Sequence, residues 1–117
     1  MKSKTIFVSA SSSGIGFSLA KRYLEKNYKV IINGKNKNKL IKASKKLNKC
    51  DYILGDMTNI KVIKKVLNII KKKYKSIDVL IANLGNSDFK KNNKDFNHSL
   101  KYNLLSTINL VENAKKI

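Results

Sequence analysis

Residues 5–16 read TIFVSASSSGIG, and the order of residue types in that stretch decides how the whole chain is organised. Thr5-Ile6-Phe7-Val8 is apolar and largely β-branched, as a buried strand requires. Five small residues then carry the chain to Gly14-Ile15-Gly16, where an amphipathic stretch begins. A strand, a small-residue turn and a helix in immediate succession leave free backbone N–H groups at the helix start. With the helix dipole they favour an anion, phosphate above all. Gly14 and Gly16 permit close backbone approach, and Ser11, Ser12 and Ser13 offer hydroxyl donors. The turn completes neither G-x-G-x-x-G nor the Lys-Ser/Thr of a P-loop. The rest of the chain must say whose phosphate it holds.

Working outward, the periodicity alternates regularly. Strands are expected over 5–9, 29–33 (KVIIN), 52–55 (ending at Asp56) and 78–82. Helices are expected over 14–27, 37–48, 59–74 and 95–116. Their apolar stripes are Ile15, Leu19, Ala20, Tyr23 and Leu24; Leu40, Ile41, Ser44 and Leu47; Ile60, Ile63, Leu67, Ile70 and Tyr74; and Phe96, Leu100, Leu104, Ile108 and Val111. Thr58 or Asn59 is the expected cap of the third helix, and Asn33-Gly34 a turn. The order is βαβαβαβα. Because the strands are continuously apolar rather than alternating, helices are expected on both faces of a parallel sheet. Ligands of such sheets bind at the carboxyl ends of the strands, where the first turn lies.

Composition narrows the function. The chain has 117 residues and a formal net charge of +19, with 26 Lys and Arg against 7 Asp and Glu, and Arg22 is the only arginine. Readers of nucleic-acid sequence rely on arginine for bidentate contacts, so this imbalance argues against sequence-specific binding. The lysines are spread over every expected helix, with Lys71-Lys72-Lys73 and Lys90-Lys91 read as solvated ends of elements. No run of about 18 apolar residues is present to span a membrane, and the N-terminus lacks the pattern of a signal peptide. One cysteine, Cys50, excludes an internal disulfide and fits a reducing, cytoplasmic setting. It is read as a partly buried small hydrophobe, and His98 as a surface or half-buried residue. No metal site is expected.

The motifs together are specific. SASSSGIG resembles the T-G-x-x-x-G-I-G turn of the short-chain dehydrogenase/reductase family, with Ser9 and Ala10 in place of its first two letters. Asp56 in GDMT resembles the family's Asp after the third strand, with Met57 beside it. IDVLIANLG resembles D-x-L-x-N-N-A-G, with Asn83 and Gly85 matching and Ala82 and Leu84 departing. Asn103 in KYNLLST matches the helical Asn of the family's catalytic tetrad. The resemblance covers all 117 residues.

It implies a Rossmann-type doubly wound parallel α/β sheet. It also implies a fold that binds NAD or NADP, and a reaction that interconverts a carbonyl and an alcohol by hydride transfer. Ser9, Ala10, Ser12, Ser13, Gly14, Ile15 and Gly16 are then expected around the pyrophosphate, with Ala10 keeping a negative φ. Asp56 and Met57 are expected at the adenine, Asn83 and Gly85 toward the nicotinamide ribose, and Asn103 in catalysis. An NAD enzyme carries a carboxylate at the end of the second strand. Gly34 stands there and Lys35 follows, so NADP is expected in preference to NAD.

The family's catalytic Tyr-x-x-x-Lys is absent, since Asn27, Ile32, Asp56, Asp78 and Ser106 follow the five tyrosines at that spacing. The chain therefore reads as a cofactor-binding N-terminal portion over residues 1–117 of a longer protein that is a homo-oligomer, inactive by itself, with its fourth strand left as an apolar edge. The alternative of a nucleotide-binding module without chemistry shares every motif, and a basic nucleic-acid-binding protein would need none of them. Duplex DNA should accordingly bind weakly and be released steeply by added salt, as counterion release requires. Sub-micromolar, sequence-selective binding at physiological salt would contradict this reading of the charge.

Overall fold

The computed structural model describes residues 4–83, 105–115 and 117. Among the described residues the elements are β1 (Thr5–Val8), α1 (Gly14–Glu25), β2 (Lys29–Gly34), α2 (Lys37–Lys46), β3 (Asp51–Leu54), α3 (Ile60–Tyr74), β4 (Val79–Ile81) and α4 (Ser106–Ala114). The four strands form one parallel sheet in the order β3-β2-β1-β4. The chain thus steps outward from β1 to β3, then returns to place β4 on the other side of β1. That reversal is a switch point, where a crevice opens above the carboxyl ends of the strands.

Alternate residues of the central strands supply two cores. Ile6, Val8, Val30 and Ile32 pack with Ala20 of α1 and with Leu40, Ala43 and Leu47 on one face. Phe7 and Ile31 pack on the other with Met57, with Ile63, Val66, Leu67 and Ile70 of α3, and with Leu110 of α4. Both faces of β1 and β2 are therefore covered, which is why their sequences show no polar alternation. β3 behaves differently. It lies at the sheet edge, and Tyr52 and Leu54 are about half exposed. The expectation of a continuously buried strand fails there because an edge strand has a neighbour on one side only.

The helix ends show how a chain without proline stops its helices. Asn36 caps α2, its Oδ1 accepting from the Lys39 N–H. Asn59, rather than Thr58, caps α3, accepting from Lys61 and Val62 N–H. Asn27 (φ 67°) and Asn48 (φ 56°) turn the chain out of α1 and α2 in the left-handed region, which Asn tolerates better than most residues. Three stripe assignments are corrected. Ile15 is 73% exposed, Ile108 47% and Ile60 39%. Ile15 and Ile60 occupy the first turns of their helices, beyond the reach of the sheet, and Ile108 lies on the open side of α4. At the amino end, Asp78 joins β4 to β1, its Oδ2 accepting from the Thr5 N–H at 2.7 Å.

Among the described residues no helix is long and apolar enough to cross a membrane. Cys50 is buried, its thiol donating to the Val30 carbonyl oxygen at 3.2 Å. Burial first, and the Asp51 carboxylate second, raise its pKa from 9.0 to about 11. Folding favours the protonated thiol, so this contribution to stability is complete below pH 9.0 and is lost as pH rises toward about 11. Alkylation at pH 8 should be about a hundredfold slower in the native protein than in denaturant, because the thiolate fraction is lower by that factor. Equal rates in the two states would show that Cys50 is not held in this environment.

Candidate functional site

The loops leaving β1, β2 and β3 converge above the carboxyl ends of the strands, and with Asn83 after β4 they enclose a cleft of about 470 Å³. Eight residues singled out in the sequence meet there: Ala10, Ser12, Ser13 and Ile15 from the first loop, Lys35 from the second, Asp56 and Met57 from the third, and Asn83. Ser9, Gly14 and Gly16 do not line it. Gly85 and Asn103 lie outside the described residues, as do Leu84 and His98.

The first turn is held from both sides. Ala10 has φ 48°, in the left-handed region that glycine favours, and not the negative value expected for it. Its N–H donates to Asn33 Oδ1 at 3.0 Å and its carbonyl accepts from Asn83 Nδ2 at 3.1 Å. Those two bonds hold an alanine where its methyl group is unfavourable. Ser9 is fully buried, its Oγ accepting from the Asn83 N–H at 2.9 Å and donating to the Ile81 carbonyl. It ties β1 to β4 beneath the cleft. Ser11 is also buried, donating to the Val8 carbonyl and accepting from the Asn33 N–H. Ser12 and Ser13 are the serines that border the cleft, and Ser13 starts α1 without using its side chain as a cap. Gly16 is needed for close approach. A Cβ there would stand 2.8 Å from the Ala10 carbonyl oxygen and 2.5 Å from Asn83 Nδ2.

Sequence reasoning missed Asn33, which it took only as half of a turn. This residue is 1% exposed at the carboxyl end of β2. Its Oδ1 accepts from Ala10, and its Nδ2 donates to the carbonyls of Ile53 (3.0 Å) and Gly55 (3.1 Å). Its backbone exchanges two further bonds with Ser11. One side chain at the end of β2 thus joins the first loop to the end of β3 and the loop that follows it. The available signal was an amide closing an otherwise apolar strand, since a buried amide must find partners.

The cleft is built for binding. Lys35 stands exposed at the rim, and Gly34 beside it offers no carboxylate. A Cβ on Gly34 would meet Ser12 Oγ at 3.3 Å, so the first and second loops are already in near contact. Asp56 accepts from the N–H and hydroxyl of Thr58 through Oδ1, which fixes the carboxylate at the head of α3. The described lining contains no His, Cys or Tyr to move a proton, and no group of metal-ligating side chains occurs among the described residues. A lysine, serine hydroxyls and a positioned carboxylate are suited to a phosphorylated ligand with hydroxyl groups.

Comparison with known proteins agrees with this architecture. The family model described as short chain dehydrogenase matches residues 4–116. An uncharacterized oxidoreductase of Bacillus subtilis, DltE, is 31% identical over 98 residues, covering 81% of this chain and 39% of that protein. Serine 3-dehydrogenase of Rhizobium radiobacter is 30% identical over 84 residues, covering 71% of this chain and 34% of its own length. A short chain dehydrogenase structure from Mycobacterium smegmatis superposes with a TM-score of 0.91 at 21% identity, covering 98% of this chain and 51% of that one. An actinorhodin polyketide ketoreductase solved with NADPH gives a TM-score of 0.88 at 19% identity, with 97% and 47% covered. The chain thus spans about half the length of these solved structures and less of the curated relatives.

Two substitutions test the turn. Ala10→Gly should stabilise the protein by about 1 kcal/mol by relieving the left-handed alanine. Asn33→Ala should destabilise it by about 2–4 kcal/mol, because it strands one buried donor and two carbonyls. Denaturant unfolding of both variants measures the two effects, and a change in the opposite direction for either would refute the account of the turn.

Proposed function

This chain belongs to the short-chain dehydrogenase family, and we propose that its cleft holds the adenosine and pyrophosphate end of a nicotinamide dinucleotide, NADP in preference to NAD. The observation that carries this reading is the convergence of Ser12 and Ser13, Lys35 and Asp56 on one cleft at the switch point of the sheet. The close approach at Gly16 and the left-handed backbone at Ala10 and Gly14 form a turn whose backbone can face a pyrophosphate.

Each wall has a role in this proposal. Ser12, Ser13 and the turn face the pyrophosphate. Lys35 attracts a 2′-phosphate, which a carboxylate at position 34 would repel. Asp56 and Met57 border the adenine. Asn83 holds the turn through the Ala10 carbonyl rather than spending its amide on the ligand. The cofactor, when bound, supplies or accepts the hydride that interconverts a carbonyl and an alcohol. Asn103 would act in that chemistry together with a Ser and a Tyr-x-x-x-Lys pair, and no such pair occurs in these 117 residues. The whole protein is proposed to be a reductase of small carbonyl compounds, with this chain as its cofactor-binding portion.

Titration of NADPH and NADH against two variants tests the assignment. Lys35→Ala should weaken NADPH about tenfold, as expected for one charge-assisted contact of about 1.5 kcal/mol, and leave NADH nearly unchanged. Gly34→Asp combined with Lys35→Ala should reverse the preference. Equal loss of both cofactors in Lys35→Ala would remove the case for NADP.

A further inference from the structure

We infer that Asn33 is the positioning residue of the cleft: its carboxamide sets the spacing of the three loops that hold the adenosine end of the ligand, and it holds Ala10 in the conformation the turn requires. The inference rests on the reading of the cleft as a nucleotide site.

The argument begins with valence. A side-chain amide offers two donors and an acceptor with two lone pairs. Both donors of Asn33 are committed to the end of β3 and the loop that leaves it, at Ile53 and Gly55, and its oxygen takes the Ala10 N–H of the first loop. Although Asn33 borders the cleft, both of its amide donors are used within the protein, and it is 1% exposed. Its role is therefore to place the groups that touch the ligand. Those groups sit next to its partners in the chain. Ser12 and Ser13 follow Ala10 and the doubly bonded Ser11, Lys35 lies two residues after Asn33 itself, and Asp56 follows Gly55.

The first loop makes the dependence acute. Ala10 has φ 48°, which costs an L-residue more than glycine. The N–H that Asn33 accepts and the carbonyl that Asn83 holds belong to the two peptide planes on either side of the Ala10 Cα, so fixing both fixes that φ. Without the amide, Ala10 can relax to negative φ and carry Ser12 and Ser13 away from Lys35 and Asp56. Ligand binding would then have to re-order the loops, and affinity would fall by the cost of that ordering. Asn33 and Ala10 are thus a compensating pair: the strained residue is tolerated because the buried amide holds it. Glycine at position 10 should make the amide less necessary.

The test uses adenosine 2′,5′-bisphosphate as the probe, titrated by calorimetry at a temperature where circular dichroism shows each variant folded. Asn33→Ala should weaken binding about tenfold or more, which is about 1.4 kcal/mol. Adding Ala10→Gly in that background should restore most of the loss. Asn33→Ser, which keeps one donor and one acceptor at shorter reach, should fall between Asn33→Ala and the wild type, and it serves as the variant of record if Asn33→Ala does not fold. In the unliganded wild type the Ala10 amide should be strongly protected from hydrogen exchange. A purely structural role would lower stability and leave the affinity of the folded variants unchanged. Binding within twofold of wild type in folded Asn33→Ala or Asn33→Ser, or an Ala10 amide that exchanges at the open-chain rate, overturns the inference. Failure of the wild type itself to bind the probe overturns instead the reading of the cleft on which the inference rests.

Discussion

A buried carboxamide, that of Asn33, bonds across the three loops at the carboxyl end of this sheet. The three loops at the carboxyl ends of β1, β2 and β3 share only a few backbone bonds, from Ser11 N–H to the Asn33 carbonyl and from Gly55 N–H to the Gly34 carbonyl among them, and loops so placed would ordinarily keep some independent motion. Asn33 removes that freedom by accepting from Ala10 and donating to Ile53 and Gly55. The arrangement is economical because burial strengthens each bond and makes its loss costly. It also explains how an alanine occupies a left-handed position in the first turn, where the family resemblance places glycine.

Beneath that network, the sheet supplies a rigid base. β1 is paired on both sides, with β2 through Phe7 opposite Ile31 and with β4 through Phe7 opposite Leu80. Its alternate residues feed two separate cores, so any shift in its register would exchange the two faces. The bonds of Ser9 to Asn83 and Ile81 close the β1–β4 side as Asn33 closes the β1–β2–β3 side. Of the five residues Ser9 to Ser13, Ser9 and Ser11 are committed to the scaffold, Ser12 and Ser13 border the cleft, and Ala10 does both. The serine run has two functions that its sequence does not separate.

Charge fits the same division. A formal net charge of +19 would be expected to dominate the surface field, yet among the described residues lining the cleft only Lys35 and Asp56 are charged. In the proposed reading, ligand choice depends on one lysine, one carboxylate and the absence of a side chain at Gly34, rather than on the general excess of lysine. The remaining lysines of α2 and α3 lie on solvated faces, where exposed pairs and charges contribute little to stability.

The sequence by itself determined the order of the elements, the parallel sheet covered on both faces, and most of the residues that line the cleft. These are properties of local pattern: apolar periodicity distinguishes strand from helix, and a small-residue turn before a helix marks an anion site wherever it occurs. Ser12, Ser13, Lys35 and Asp56 were legible because they stand beside such markers. Tertiary structure alone decided what depends on direction and on distant partners. The turn's periodicity cannot show that Ala10 adopts positive φ, because that conformation is held by an amide 23 residues away. Nor can it show that Ser9 faces the sheet while Ser12 faces the cleft, since both are small, polar and four residues or fewer from a glycine or an apolar run. Ile15 satisfied the helical stripe and is exposed, because a first-turn residue projects past the sheet end. Asn33 looked like a turn residue because its three side-chain partners, in the first loop and at the end of β3, come together only when the sheet forms.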